Sequence, residues 1–191
     1  MIRTSKKIKK LAFFGDGKTG EDSDCFKLAY ETAKIVAKDG YIVVNGGGPG
    51  VMLASSLGAK EVSGKVEVVV VKSVSQPKGN YEGQSEENVR LADKIYEEAN
   101  YMERMNKLAE VADAFLIFKG GTGTIAELGY VWSVAKFEHG NHEPVIMVGK
   151  GWRGVMNKLN RFLKLEKIEM DVINFANNGN DVVKIVKKIT G

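Results

Sequence analysis

The sequence predicts one doubly wound α/β domain, in which a parallel sheet lies between helices on both faces, giving three α/β/α layers. Short apolar runs alternate along the chain with segments of helical period, which is the pattern of stacked βαβ units. The chain has 191 residues, enough for one domain with a sizeable core. No internal repeat or low-complexity linker divides it, so residues 1–191 are interpreted as a single domain.

The first half of the chain predicts three strands. These lie at Ile8–Phe14, Tyr41–Val44 and Val66–Val71, and the last is rich in valine, as expected for a strand buried on both faces. A helix between the first two strands begins near Asp22, carries its apolar side chains on one face and is stopped by Gly40. The glycine-rich turn NGGGPG leads into the second helix.

The second half begins with a polar stretch, KSVSQPKGNYEGQSEENVR, and helical sequence then continues through Ala112. Such a long connection in a compact domain predicts a functional loop or lid. Further strands are predicted at Ala114–Phe118, at Pro144–Val148 and near Val172. Helices are predicted from the loop KGGTGT onward, at Gly154–Leu165 and at Asp181–Ile189.

Composition narrows the class of protein. A single cysteine, Cys25, excludes a disulfide framework within the chain and suits a reducing compartment. No apolar stretch approaches the roughly 20 residues of a membrane span, so we expect a cytoplasmic protein without a membrane partner. The net charge is +4, but the lysines are scattered and not interleaved with aromatic residues, which predicts solvated faces and no nucleic-acid partner.

Several kinds of chemistry find little support. The pair His139 and His142 lies in a polar loop without cysteine, so we expect loop histidines and no metal site. The tripeptide in GDGKTG lacks the earlier glycine of a Walker loop, which disfavours a kinase or NTPase. No G-x-S-x-G elbow occurs, and no lysine stands out as a pyridoxal-phosphate anchor. No cofactor is therefore expected.

Two glycine-rich turns, NGGGPGVM and KGGTGT, each follow a predicted strand and precede a helix. In an open α/β sheet this is the carboxyl edge, where ligands bind, and helix N-termini there can direct N–H groups at a phosphate. The predicted phosphate- and nucleotide-binding residues are Gly46, Gly47, Gly48, Gly50, Met52, Gly120, Gly121, Thr122, Gly123 and Thr124. We expect a small-molecule nucleotide as the partner.

The stretch KGGTGTIAELG leaves two interpretations of Glu127 open. Thr124 followed three residues later by Glu127 is the spacing of a capping box, in which each side chain satisfies a backbone N–H of the other residue. Alternatively, a carboxylate beside phosphate-binding glycines can stabilise the positive charge that develops when a ribosyl C–N bond breaks, and can activate water. The two roles are compatible in one residue.

The motifs KGGTGTIAE, NGGGPGVM and ERMNKLAEVADAFLIF together resemble the Lonely Guy (LOG) family, historically labelled as lysine decarboxylase-like. The resemblance extends from the first strand to about Val148. It implies a Rossmann-like homodimer that cleaves the N-glycosidic bond of a nucleoside 5′-monophosphate, such as AMP or an N6-modified AMP. The products are the free base and ribose 5-phosphate. The family's catalytic arginine and glutamate correspond to Arg104 and Glu127.

Three positions depart from the family's pattern. Lys119 replaces a proline, Met105 replaces the lysine of an Arg-Lys pair, and Thr122 replaces a common aromatic residue. The family also includes nucleotide-binding proteins such as molybdenum-cofactor carriers. The sequence therefore supports two hypotheses, a phosphoribohydrolase and a non-catalytic nucleotide or cofactor carrier that uses the same cleft.

Overall fold

The computed structural model describes residues 4–72 and 83–190, and these contain one sheet. Its strands are β1 (Lys10–Phe14), β2 (Ile42–Asn45), β3 (Val66–Val71), β4 (Lys94–Glu98), β5 (Ala114–Ile117), β6 (Val145–Val148) and β7 (Ile173–Ala176). They lie in the order β4-β3-β2-β1-β5-β6-β7, and every pairing is parallel. The predicted doubly wound fold is confirmed.

Helices cover both faces of this sheet. They are α1 (Asp24–Lys38), α2 (Val51–Glu61), α3 (Glu86–Leu91), α4 (Tyr101–Val111), α5 (Thr122–Phe137), α6 (Trp152–Phe162), α7 (Lys167–Asp171) and α8 (Gly179–Thr190). Buried residues of α1, α2 and α8 pack in one apolar core, and those of α4, α5 and α6 pack in a second core on the opposite face. The three layers predicted from the alternating pattern are therefore present.

The central strands explain why the sheet forms here. All four residues of β5 are buried, and β1 contributes Leu11 and Phe13 to one core and Ala12 and Phe14 to the other. This alternation follows from the period of two along a strand, and a strand between two helix layers must be apolar on both sides. Because β1 pairs with β2 on one side and β5 on the other, the strand order reverses at β1.

The segment before β5 differs from the prediction of continuous helical sequence through Ala112. It divides into α3, the edge strand β4 and α4. β4 was missed because its sequence, KIYEE, is mostly charged, and the structure leaves most of it exposed at the edge of the sheet. Charged side chains are common on edge strands, where they discourage pairing with another chain.

Two other regions also differ. The predicted helix Gly154–Leu165 begins earlier, at Trp152, and ends at Phe162, and the separate short helix α7 follows. The predicted loop or lid after Val71 falls largely outside the described residues. In the described part of the chain, no helix has the length and apolar content that crossing a membrane requires.

Candidate functional site

A cleft of about 600 Å³ opens at the carboxyl ends of β1 and β5. This is the position where the strand order reverses, and in doubly wound sheets such a crevice is the usual ligand site. Its walls come from the loops after β1, β2 and β5 and from the first turn of α4. The lining includes Gly15, Asp16, Gly17, Lys18, Gly46, Gly48, Met52, Tyr101, Arg104, Gly121, Thr122, Gly123, Thr124 and Glu127.

The N-terminus of α5 faces this cleft. Gly121 is the N-cap residue, and no side chain among the described residues caps the helix there. Residues Gly121 to Thr124 all line the cleft. A Cβ atom added at Gly121 would meet nothing within 4 Å, so packing within the protein does not explain this glycine. Backbone N–H groups at a helix N-terminus without a side-chain cap are a ready site for an anion.

The start of α5 decides the question about Glu127. The helix begins at Thr122, so Glu127 lies in its second turn, and Thr124 is three residues after the N-cap instead of being the N-cap itself. The capping-box interpretation is therefore wrong, because a capping glutamate must stand three residues after the cap. Glu127 is buried, with 8% of its surface exposed, and it lines the cleft.

Arg104 lies opposite Glu127 on α4 and is buried to a similar extent, with 8% exposed. Its Nε atom donates to the carbonyl oxygen of Val69 (3.0 Å), and its Nη2 atom donates to that of Gly46 (3.0 Å). The Nη1 atom lies 3.8 Å from Oε1 of Glu127. The guanidinium group therefore fixes the end of β2 to the cleft wall and turns its remaining N–H groups toward Glu127. Arg104 is therefore a buried residue of the cleft wall and not part of an exposed charged helix face.

The first glycine-rich turn is explained mainly by packing. A Cβ atom at Gly46 would overlap Nη2 of the hydrogen-bonded Arg104 side chain, and one at Gly47 would overlap Cγ1 of Val70. Gly47 and Gly50 have positive φ angles, of 70° and 64°, which favour glycine. Of the five residues predicted here, Gly46, Gly48 and Met52 line the cleft, whereas Gly47 and Gly50 do not.

The N-terminus of α2 has fewer free backbone N–H groups for a phosphate than predicted. The first helical amide, of Val51, donates to the carbonyl oxygen of Asp16 at 2.9 Å. The loop after β1 therefore covers this helix end, and the two glycine-rich turns are not equivalent. In the second glycine-rich turn, Gly120 does not line the cleft. It packs against Thr124, and a Cβ atom at Gly120 would overlap Oγ1 of that residue.

A buried network of polar side chains holds the first turn in place. The Asn45 amide group donates to the hydroxyls of Ser55 (3.1 Å) and Ser56 (2.8 Å). Asn88 on α3 accepts from Ser56 (2.6 Å) and donates to the carbonyl oxygen of Gly48 (2.7 Å). These four side chains are fully buried. Because buried polar groups are costly when unpaired, the network specifies one arrangement of the turn.

Sequence reasoning missed part of this site. The loop Gly15–Lys18 after β1 lines the cleft, although its Gly-Lys-Thr tripeptide was considered only as a Walker loop. Its place directly after the first strand was the available signal. Tyr101 also lines the cleft, with its ring centroid 5.8 Å from Cζ of Arg104. It lies in the segment where β4 was missed, so its position at a helix start could not be recognised.

The two loop histidines lie away from the cleft, and His142 is buried. Its Nδ1 atom accepts from the backbone N–H of Gly140 (3.2 Å), and its ring stacks near His139, with 6.0 Å between centroids. Burial, together with the nearby His139 and Lys6, lowers the pKa of His142. Within the described residues, no group of three or more His, Cys, Asp or Glu side chains could hold a metal ion.

Comparison with known families agrees with this architecture. A model of the SLOG cluster4 family, LDcluster4, matches residues 9–160, which include both glycine-rich turns, Arg104 and Glu127. The chain belongs to the SLOG cluster4 family. An uncharacterized protein of Archaeoglobus fulgidus is 26% identical over 143 residues, which is 75% of this chain and 86% of the relative. The finer assignment to the LOG family stays a prediction.

Solved structures resemble this SLOG cluster4 protein in fold. The molybdenum cofactor binding protein of Rippkaea orientalis has a TM-score of 0.69 at 20% identity, covering 98% of this chain and 100% of that chain. The molybdenum cofactor carrier protein of Chlamydomonas reinhardtii has a TM-score of 0.70 at 20% identity, covering 96% and 98%. At this level of identity the likeness shows a shared fold.

A third structural neighbour corrects one expectation. DNA processing protein A of Helicobacter pylori has a TM-score of 0.63 at 15% identity, covering 94% of this chain and 80% of that chain. That protein is described as having a single-stranded DNA binding mode. The sequence-based exclusion of a nucleic-acid partner is therefore wrong, because a protein of the same fold binds single-stranded DNA and the spacing of lysines along a sequence does not show their arrangement in space.

Proposed function

We propose that this SLOG cluster4 protein binds a phosphate-bearing nucleotide or a nucleotide-like cofactor in the cleft and acts as a binding or carrier protein. The observation that carries the proposal is the N-terminus of α5, where Gly121 to Thr124 line a cleft at the reversal of strand order. The fold shared with two molybdenum cofactor proteins supports a carrier role.

The charges of the cleft support a ligand with a modest negative charge. Arg104 and Glu127 face each other, and Asp16 and Lys18 contribute one charge of each sign. The charges of these four side chains therefore cancel. The dipole of α5 then leaves a positive potential at its N-terminus. A phosphate monoester fits this potential, with its oxygens on the α5 amides and the rest of the molecule extending toward Tyr101.

A phosphoribohydrolase of the LOG type is the second candidate. The feature that favours it is the pair Arg104 and Glu127, which lies in the cleft with 3.8 Å between Nη1 and Oε1. A carboxylate in this position could stabilise the positive charge that develops on a ribosyl C1′. Against it, two of the arginine's nitrogen atoms are occupied by backbone carbonyls, so Arg104 positions the cleft more than it can hold a substrate.

One experiment separates the two candidates. Purified protein is titrated with nucleoside monophosphates by calorimetry, and the same mixtures are analysed for free base by chromatography. The carrier proposal predicts binding without release of base. Release of base would favour the hydrolase, and Glu127→Gln should then reduce the rate by roughly 10²-fold while binding is retained. No binding of any monophosphate would contradict both candidates.

We also propose a homodimer, as the resemblance implies. The outer face of α5 is unusually apolar for an exposed helix, with Ile125 63% and Phe137 82% exposed. The helix has two charged residues, of which Glu127 lines the cleft and Lys136 pairs with Glu169 of α7. An uncharged face of this kind suits a second copy of itself. Sedimentation should give twice the mass of the chain, and Ile125→Glu should give the monomer.

A further inference from the structure

The segment around α6 carries a cluster of positive charges. Residues 150–164 contain no acidic residue but five cations, Lys150, Arg153, Lys158, Arg161 and Lys164, which we call the α6 cationic surface. None of the five forms an ion pair with any residue in the described ranges. The whole chain has a net charge of only +4, so the remainder is close to neutral. Residues 3–10 also hold five cations, but Lys6 and Lys10 there pair with glutamates, so the α6 cationic surface is distinguished by cations that have no ion-pair partner within the described residues.

A second concavity, of about 200 Å³, adjoins this surface at the carboxyl ends of β6 and β7. Lys150, Arg153, Phe175 and Asn177 are among its lining residues. The guanidinium carbon of Arg153 lies 4.4 Å from the centroid of the Phe175 ring. A planar guanidinium on an aromatic ring offers a flat surface for a nucleobase, and the Asn177 amide offers a donor and an acceptor for a base edge.

The packing of α6 argues against a lipid membrane as the polyanion. An interfacial helix buries its apolar face in the bilayer. In α6 that face is turned into the protein, where Met156 is fully buried and Trp152 and Leu159 pack against the core. The large apolar side chains left exposed in residues 150–164 are Val155, Phe162 and Leu163. Three such side chains form a small surface for insertion compared with the apolar face of an interfacial helix, and Phe162 can stack with a base.

We propose that the α6 cationic surface binds single-stranded nucleic acid. The five cations contact backbone phosphates, and one exposed base stacks on the pair formed by Arg153 and Phe175. A single strand fits better than a duplex, because the bases of a duplex are already stacked on one another and cannot reach this pair. The inference does not depend on the ligand of the cleft between β1 and β5.

The test is fluorescence anisotropy with labelled single strands of thymidine or uridine nucleotides. We expect a Kd of about 10 μM near 100 mM salt and a slope of log K against log salt of about −2 to −3, from three or four contacts at roughly −0.7 each. The variant Lys158→Glu/Arg161→Glu/Lys164→Glu should bind at least tenfold more weakly. Arg153→Ala should weaken a normal strand more than an abasic strand.

The matched control is Lys27→Glu/Lys38→Glu/Lys184→Glu, which changes the net charge equally at exposed positions of α1 and α8 on the opposite face. It should weaken binding by less than twofold. A milder variant, Lys158→Gln/Arg161→Gln/Lys164→Gln, serves if the first does not fold. The proposal is overturned if neither DNA nor RNA binds, if the control weakens binding as much, if abasic strands bind equally well, or if only anionic vesicles bind.

Discussion

Gly46 and Gly121 both line the cleft, but they are glycines for different physical reasons. At Gly46 the guanidinium group of Arg104 occupies the space of a side chain, whereas at Gly121 that space is open. A glycine imposed by packing within the protein is a structural requirement. A glycine that faces open space in a cleft is best explained by a ligand that approaches the backbone there.

Alanine substitutions at these two positions separate stability from binding. Gly121→Ala should lower the free energy of unfolding by at most about 1 kcal/mol, the scale of an N-cap effect, yet weaken nucleotide binding at least tenfold. Gly46→Ala should lower the free energy of unfolding by about 3 kcal/mol, because it displaces the buried Arg104. Denaturant unfolding and calorimetry measure both. Equal effects of the two variants on stability would contradict this distinction.

Arg104 and Glu127 should be energetically coupled. Arg104→Met leaves two carbonyl oxygens and the Glu127 carboxylate without a buried cation, so the free energy of unfolding should fall by about 3 kcal/mol. In a double-mutant cycle with Glu127→Gln, the combined loss should be smaller than the sum of the single losses by about 1 kcal/mol. Strict additivity would mean that the 3.8 Å contact contributes nothing.

His142 should make stability depend on pH. Burial, with His139 and Lys6 nearby, lowers the pKa of His142 in the folded state below its unfolded value. As the pH falls, the unfolded chain therefore binds a proton at His142 before the folded protein does. This contribution to stability is complete above the unfolded pKa of about 6.5 and is lost as the pH falls through the folded pKa. Melting curves between pH 7.5 and 5 should show falling stability, and His142→Gln should reduce the slope. An unchanged slope would assign the effect to other groups.

At the level of single residues, the sequence predicted the contents of the cleft better than their roles. Arg104, Glu127 and the second glycine-rich turn do meet in one cleft. The pairing of Thr124 with Glu127 as a cap was wrong, because motif spacing does not show where the helix starts. The sequence could not show whether Gly47 and Gly50 are glycines because they contact a ligand or because the backbone requires it. Their positive φ angles and close neighbours are visible only in the structure.

At the level of elements, the apolar strands were predictable and the polar ones were not. β3 and β5 end within one residue of their predicted bounds, since both are fully buried and therefore apolar. β4 was missed because it lies at the edge of the sheet. Its pairing with β3 depends on backbone hydrogen bonds, which leave no apolar pattern in the sequence.

The polar network that joins α3 to the first glycine-rich turn should be required for the shape of that turn. Asn88→Ala removes the donor to the carbonyl oxygen of Gly48 and the acceptor for Ser56, and should lower the free energy of unfolding by about 2 kcal/mol. Ser85→Ala, which removes only the α3 N-cap, should cost about 1 kcal/mol. Urea unfolding curves of the two variants give both free energies. A larger loss for Ser85→Ala than for Asn88→Ala would contradict the network's role.

At the level of the whole molecule, the alternating pattern was sufficient to predict the three-layer fold, because buried parallel strands and amphipathic helices each have a distinct period. The distribution of charge was not predictable in the same way. The cations of residues 150–164 are separated by apolar residues in the sequence, and only the structure shows that all five are exposed on α6 and its flanking loops. The positions of lysines along a sequence therefore gave no basis for excluding nucleic acid.

The central claim is that the N-terminus of α5 is the anchor of a phosphate-bearing ligand in the cleft between β1 and β5. The most direct test is a crystal structure of the protein with AMP. We predict the phosphate within about 3 Å of backbone nitrogen atoms of residues 121–124, with the remainder of the nucleotide beside Tyr101. A nucleotide bound elsewhere, or one whose base instead of its phosphate lies at the start of α5, would contradict the claim.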